Sequence, residues 1–213
     1  MAVKSTVHIV DDDPDVRESL DLLVGSIGLK ARTYGSAEEF LEGYDDDSNL
    51  PKCLVLDIRM PGMSGLKLQE TLAGEGPELP VIMITAYGDV PMAVRAMQAG
   101  AVDFIEKPFN RQTLLDRIWD AIDQDGRQRK ARVRRAKLDE LMATLTDRER
   151  EVMTLIIAGE TPKQTSSRFG ISVKTVLKHR AKVLDKLQLD NPVELVHLAY
   201  AFGLVSPNSH LNP

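Results

Sequence analysis

The sequence predicts an α/β chain joined to an all-α one: a doubly wound, parallel five-stranded sheet with helices on both faces, a basic helical linker, then four short helices. Three observations carry this. Short β-rich runs return about every 25 residues through the first half, with amphipathic segments between them. Charge divides by position: residues 1–123 carry 11 Lys and Arg against 22 Asp and Glu, a net of −11, whereas residues 124–213 carry 16 against 10, a net of +6. Beyond residue 143, helix start signals follow one another with no strand between them.

The first run, "TVHIV" (6–10), has the β-branched composition of a strand buried on both faces. "DPDVRESLDLLVGSIG" follows as a helix, with Asp13 as N-cap and Pro14 as first helical residue. "KARTY" (30–34), "CLVLD" (53–57), "VIMIT" (81–85) and "VDFIE" (102–106) are the other strands. Between and after them, "SAEEFLEGY", "GLKLQETLA", "VPMAVRAMQAG" and "NRQTLLDRIWDAI" space apolar residues by three and four, as helices do. From Gln124, "QDGRQRKARVRRAKLDELMATL" places seven basic residues among the eleven from Arg127 to Lys137 and reads as a helical linker. That run suits a solvated helix face as well as it suits DNA contact. Thr146 and Glu149 have capping-box spacing, Thr161 and Pro162 open a helix that closes at Gly170, Ser172 opens the next, and Asn191 with Pro192 the last. A tight glycine turn between the second and third of these four helices makes a helix-turn-helix. The expected division is 1–123, a linker at 124–142, and 143–213.

No apolar run approaches the roughly 20 residues that span a bilayer, and Met1 to Thr6 lacks the apolar core of a signal peptide. A cytoplasmic protein without a membrane partner is expected. The single cysteine, Cys53, sits in an apolar run and reads as a small buried hydrophobe. An acidic half joined to a basic half points to a polyanion partner for the second half only.

Two acidic tripeptides give a test of context. Asp45 to Asp47 lie among Gly43, Ser48, Asn49 and Pro51, as a solvated loop would. Asp11 to Asp13 instead stand where a strand ends and a helix begins, the place where open α/β sheets bind ligands. Strand ends taken in order give Asp11 and Asp12, then Asp57, Thr85 and Lys107. Three acids, a hydroxyl and an ammonium are expected to converge there. Uncompensated carboxylates in one crevice repel, so the grouping makes physical sense with a divalent cation, and all-oxygen ligands favour Mg²⁺. Asp57 would be the nucleophile, Lys107 would neutralise a phosphoryl oxygen, and Thr85 would hydrogen-bond another. His8, inside the first strand, is a poor phosphodonor. Asp13 serves as a cap, and Met92 and Met97 read as core or interface residues of the fourth helix.

"IVDDDPDVRESL", "VLDIRMPGMSGL" and "VIMITAYGDVPMAVRAMQAGAVDFIEKPF" resemble the receiver domain of two-component response regulators over residues 4 to about 123, and the last two resemble the FixJ subgroup especially. The resemblance implies a flavodoxin-like sheet and Asp57 as phosphoacceptor. It implies Mg²⁺ held by Asp12, Asp57 and the backbone carbonyl of Arg59, with Asp11 acting through water. It further implies a switch made by Thr85 and Phe104, beside Lys107, and a cis Lys107–Pro108 bond.

"LTDREREV", "GIS" and "KTVLKHR" fall at the spacing of the LuxR/GerE-type helix-turn-helix, which the C-terminal segment resembles over nearly its whole length. At 3.6 residues per turn, Val176, Val183 and Leu187 share one side of the reading helix, while Lys174, Lys178, Ala181, Lys182 and Asp185 point away from it. The resemblance implies base contacts from Leu177, Lys178 and Ala181, with Lys174, Arg180 and Lys182 on phosphates. His179 reads as a packing residue. The chain departs from the family at Leu177, where a polar residue is usual, and at "PKQTS", where the second helix usually reads "NKxIA".

Together these resemblances imply a transcription regulator rather than an enzyme, with a sensor histidine kinase, double-stranded DNA, RNA polymerase and a second copy of itself as partners. Dimerisation would use the fourth helix and fifth strand. An aspartate-based phosphatase would also use strand-end acids with Mg²⁺, but it would carry a second acid two residues after the nucleophile, where this chain has Arg59. A receiver driving an RNA-binding output would share the charge split, but "KTVLKHR" favours duplex DNA.

Overall fold

The computed structural model describes residues 5–46, 50–75 and 78–204, which fall into two compact units divided between Ala131 and Arg132. In the first unit five strands alternate with helices: β1 (Thr6–Val10), α1 (Pro14–Ser26), β2 (Lys30–Tyr34), α2 (Ala37–Gly43), β3 (Lys52–Asp57), α3 (Gly65–Glu75), β4 (Val81–Thr85), α4 (Val90–Gln98), β5 (Asp103–Glu106) and α5 (Arg111–Ala143), whose residues from Arg132 onward belong to the second unit. All strands are parallel, in the order β2-β1-β3-β4-β5. The order reverses between β1 and β3, so the carboxyl ends of those two strands flank the switch-point crevice.

Strand side chains alternate between two cores. Val7, Ile9, Cys53, Val55, Ile82 and Ile84 pack with Leu20 and Val24 of α1 and with Leu114 and Ile118 of α5. Val10, Leu54, Leu56 and Met83 face Phe40 of α2 and Leu68 and Leu72 of α3. Because β3 and β4 are covered on both faces, every residue in them is buried, which is why they read as unbroken apolar runs. Cys53 is fully buried, as expected. His8 lies within an aromatic group, stacked on Tyr34 with its Nδ1 3.1 Å from the Tyr34 hydroxyl, and edge-on to Phe40. Burial, then the charges of Lys52 and Arg32, lower its pKa from 6.5 to about 4.

The segment expected as a helical linker at 124–142 is helical, and it continues the fifth helix, which runs unbroken for 33 residues. Gly126, a weak helix former, is accommodated beside Pro51, where an added Cβ would meet the ring at 3.4 Å. The acidic loop is exposed at Asp45 and Asp46, as expected, and it also carries ion pairs. Asp46 is not an idle surface acid: its Oδ1 accepts from Lys52 Nζ at 2.8 Å and from Arg129 Nη2 at 3.2 Å. Asp47, Ser48 and Asn49 of that loop, the N-terminal residues 1–4 and the tail 205–213 lie outside the described residues.

The second unit holds α6 (Asp147–Ile157), α7 (Pro162–Phe169), α8 (Val173–Lys186) and α9 (Pro192–Ala201). Capping boxes form at Thr146 with Glu149 and at Thr161 with Gln164, and Ser172 and Asn191 cap the last two helices. Gly170 ends α7 at φ 63°, a left-handed conformation that turns the chain directly into α8. Val152, Met153, Ile156, Val183, Leu187 and Leu195 form the core, with Leu141 and Met142 from the end of α5 packed against it. Lys186 Nζ donates to Glu149 at 2.6 Å and to the Thr144 carbonyl at 2.8 Å, tying the end of α8 to the start of α6.

Candidate functional site

Asp11 and Asp57 emerge at the carboxyl ends of β1 and β3 and are almost fully buried. The Lys107 ammonium, brought over by the chain after β5, donates to Asp11 Oδ2 at 2.6 Å and to Asp57 Oδ1 at 2.8 Å. The other carboxylate oxygens accept backbone N–H groups, Asp11 Oδ1 from Asp13 at 3.0 Å and Asp57 Oδ2 from Arg59 at 2.7 Å. Arg17 Nη1 donates to the Asp11 carbonyl at 2.7 Å. The Lys107–Pro108 bond is cis.

Electrostatics follow from burial. Desolvation raises the Asp57 pKa above its ordinary value, and the Asp11 charge adds to the rise, while Lys107 and the Arg59 N–H oppose it. Burial pulls the Lys107 pKa down, but its bonds to Asp11 and Asp57 outweigh this and raise it overall. Two buried carboxylates therefore share one ammonium and leave a net negative crevice.

Of the three acids expected at the strand ends, Asp11 and Asp57 are buried together in the crevice. Asp12 is exposed, and among the described residues no group of three or more His, Cys, Asp or Glu side chains could hold a metal ion by itself. The crevice fits Mg²⁺, which takes one or two carboxylates and keeps several waters: the donors are oxygen, and two buried carboxylates share a single ammonium.

Thr85, fully buried at the end of β4, accepts the Tyr87 N–H at 3.3 Å through Oγ1. Phe104 on β5 is half-buried at the edge of the second core. Arg59 places its guanidinium 5.4 Å from the Tyr87 ring centre. Sequence reasoning gave Gly65 no role, although it lies in the quoted "MPGMSG" stretch. An added Cβ there would collide with the Asp57 carbonyl oxygen, so only glycine lets α3 start directly beneath the Asp57 backbone. Arg17 carried no such signal: its bond to Asp11 depends on how α1 packs.

In the second unit, Val176, Val183 and Leu187 of α8 are buried, and Lys174, Leu177, Lys178, Ala181 and Lys182 are exposed, as the helical spacing requires. Arg180 is the exception. It is half-buried, and its Nη1 donates to the Glu160 carbonyl at 3.0 Å. Burial lowers its pKa. His179 buries its Nδ1 without a hydrogen-bond partner.

Buried acids gathered around one ammonium at a switch point suit phosphoryl acceptance, and a basic helix turned outward behind a glycine corner suits DNA; the class of protein that joins the two is the response regulators. Residues 7–119 match the family described as response regulator receiver domain, and residues 143–199 match bacterial regulatory proteins of the luxR family. The chain is 41% identical over 193 residues to the transcriptional regulatory protein TdiR of Thauera aromatica, covering 91% of this chain and 84% of that protein. It is 36% identical over 206 residues to the transcriptional regulatory protein FixJ of Bradyrhizobium diazoefficiens, covering 97% and 100%. The solved structure of the response regulator StyR is similar at a TM-score of 0.85 and 43% identity, covering 93% of this chain and 99% of that one. The chain belongs to the FixJ-type response regulators, which pair a receiver with a LuxR-type DNA-binding domain and regulate transcription.

Proposed function

We propose that a sensor histidine kinase phosphorylates Asp57 and that this turns a monomer into a DNA-binding dimer. The observation that carries the reading is the shared Lys107 ammonium between Asp11 and Asp57. An Asp57 carboxylate oxygen attacks the phosphorus of a phosphohistidine, the O–P bond forms as the N–P bond breaks, and the proton needed by the leaving imidazole comes from solvent. Asp57, Asp12 and the Arg59 carbonyl would hold Mg²⁺, with Asp11 behind a water. The ion would supply charge for the phosphoryl oxygens. Lys107 neutralises a second oxygen as its bond to Asp57 is given up, and Thr85 hydrogen-bonds a third.

Thr85 follows the phosphoryl group inward, Phe104 takes the space it leaves, and the face of α4 and β5 changes. Val90, Val94 and Met97 share one exposed stripe of α4, at 77%, 48% and 47% exposure, an apolar face suited to a second copy. Paired α8 helices then enter successive major grooves of duplex DNA. Leu177, Lys178 and Ala181 contact bases, and Lys174 and Lys182 contact phosphates; Arg180 reaches a phosphate only from its tether on Glu160. We divide the chain into a receiver at 1–123, a linker at 124–142 and a reading head at 143–213. We place it in the cytoplasm, as a regulator rather than an enzyme, with RNA polymerase as its downstream partner; among the described residues no helix is long and apolar enough to cross a membrane.

Asp57→Asn should abolish labelling by radioactive acetyl phosphate with the fold unchanged, and the wild-type chain should shift from monomer to dimer in sedimentation when labelled. Labelling that persists in the Asp57 variant overturns the assignment of the acceptor. An unchanged monomer population in labelled wild type overturns the dimer step.

A further inference from the structure

The loop between β4 and α4 holds a point where three residues meet. A Cβ built on Gly88 would lie 3.1 Å from Phe104 Cε1, 3.2 Å from Phe104 Cζ and 3.4 Å from Thr85 Cγ2. Real Cβ atoms rarely approach other atoms as closely as the two ring distances, so the ring edge occupies space that any other residue at position 88 would claim. Gly88 is not held in a left-handed conformation: among the described residues the positive-φ glycines are Gly28, Gly62, Gly100, Gly159, Gly170 and Gly203. Alanine could adopt its backbone, and the constraint at this position is therefore the ring rather than the turn.

We propose that Gly88 is a positioning residue for the switch, its missing side chain forming the seat that the Phe104 ring occupies beside Thr85. The inference rests on the function proposed above and adds a third member to the Thr85–Phe104 pair. Phe104 comes from β5 and Thr85 from β4, whereas Gly88 lies on the loop that leads into α4, capped at Asp89. Ring placement is thereby coupled to the loop from which α4 starts, and α4 carries the apolar stripe at Val90, Val94 and Met97. A methyl group at position 88 removes one of the ring's two placements. The switch then loses the contrast between its states, while the carboxylates and Lys107, which are not among the atoms an added Cβ would meet first, keep their geometry.

The experiment is a cycle of Gly88→Ala, Phe104→Leu and the double variant in the full chain. The readouts are acetyl phosphate labelling, the dimerisation constant with and without the phosphoryl group, and the NMR resonances of the Phe104 ring. Gly88→Ala should label at the wild-type rate and keep the wild-type circular dichroism spectrum. Its Phe104 ring resonances should move, and the ratio of its two dimerisation constants should fall at least about fivefold below wild type, the lower end of ordinary coupling between sites. Adding Gly88→Ala to Phe104→Leu should change that ratio no further, because the ring it would displace is gone. A purely structural role in the loop would act equally in both backgrounds, and that result overturns the inference. So does a Gly88→Ala chain with wild-type ring resonances and wild-type ratio. If the wild-type chain itself shows no change in dimerisation on labelling, the switch reading falls and this inference with it; a wild type that responds alongside an unaltered Gly88→Ala chain sinks the inference alone.

Discussion

Asp125, fully buried on α5, accepts the backbone N–H of Lys52 at 2.9 Å, joining the start of β3 to a helix residue 73 positions away. The same oxygen accepts from Arg129 Nε at 2.5 Å, and Arg129 and Lys52 both reach Asp46. Two acids and two bases thus fasten the part of α5 that lies beyond the receiver match to the amino-terminal edge of the sheet.

Removing Asp125 strands the Lys52 N–H and takes away the carboxylate that accepts from Arg129 Nε. Asp125→Ala should lower stability by about 1.5–3 kcal/mol, the usual cost of losing buried charge-assisted hydrogen bonds, with unchanged labelling of Asp57. Urea unfolding of the full chain is the check, and a variant as stable as wild type would show that the network carries no net stability.

The Asp57 carboxyl should titrate above the ordinary carboxylate range, because burial raises its pKa. Phosphoryl uptake needs the ionised form, so uptake should fall with acidification at a higher pH than for an exposed aspartate. Lys107→Met removes the main opposing influence, and the carboxyl resonance of Asp57, followed by NMR, should then titrate higher still.

Glu149 behaves in the opposite sense. Its bond to Lys186 comes first among the causes that lower its pKa from 4.5 to about 2. A depressed acid contributes stability that is present above its unfolded pKa and lost as pH falls through its folded one. Hydrogen-exchange protection of α6 should therefore weaken between about pH 4.5 and 2 in wild type. In Glu149→Gln the acid dependence over that window should be absent.

On α8, Lys182→Ala should weaken binding about equally on all duplexes and reduce the salt slope by about one unit. Lys178→Ala should cost about 1–3 kcal/mol on the selected site and much less on random DNA. Equal losses on both duplexes would make Lys178 another phosphate contact and move base reading to Leu177 and Ala181.

Gly65 should tolerate nothing larger than hydrogen. Gly65→Ala drives a methyl group into the Asp57 carbonyl, so α3 must shift or the loop after β3 must distort. The expected results are a lowered melting temperature and slower labelling together, since the displaced backbone is that of the acceptor itself.

How far each feature was legible depends on its range in sequence. β3 and β4 could be read because doubly covered parallel strands are apolar throughout, and the reading of all five strands agrees with the structure to within a residue at their ends. Helix starts at Asp13, Thr146, Thr161, Ser172 and Asn191 were legible because a cap bonds amides two or three residues away. The length of α5 was not. The linker expectation treated Gly126 and the basic run as a change of character, whereas the helix there is fastened by Asp125 and Arg129 to residues far away in the chain. Asp46 is exposed, as loop composition predicts, but its ion pairs were not legible, because its partners, Lys52 and Arg129, enter from other elements.

The sequence by itself determined the two-part architecture, the face of α8 that turns outward, and the strand-end positions from which Asp11, Asp57, Thr85 and Lys107 enter the crevice, because these depend on periodicity and on bonds spanning a few residues. Tertiary structure decided which groups meet there. It gave the Lys107 ammonium to Asp11 and Asp57 and left Asp12 exposed, turned Arg180 onto Glu160, paired Asp125 with Lys52, and set the Phe104 ring against Gly88. The physical reason is range. A hydrogen bond or ring contact acts over about 3–4 Å, and whether residues 16 to 96 positions apart come that close is settled only when two helical layers pack on one sheet.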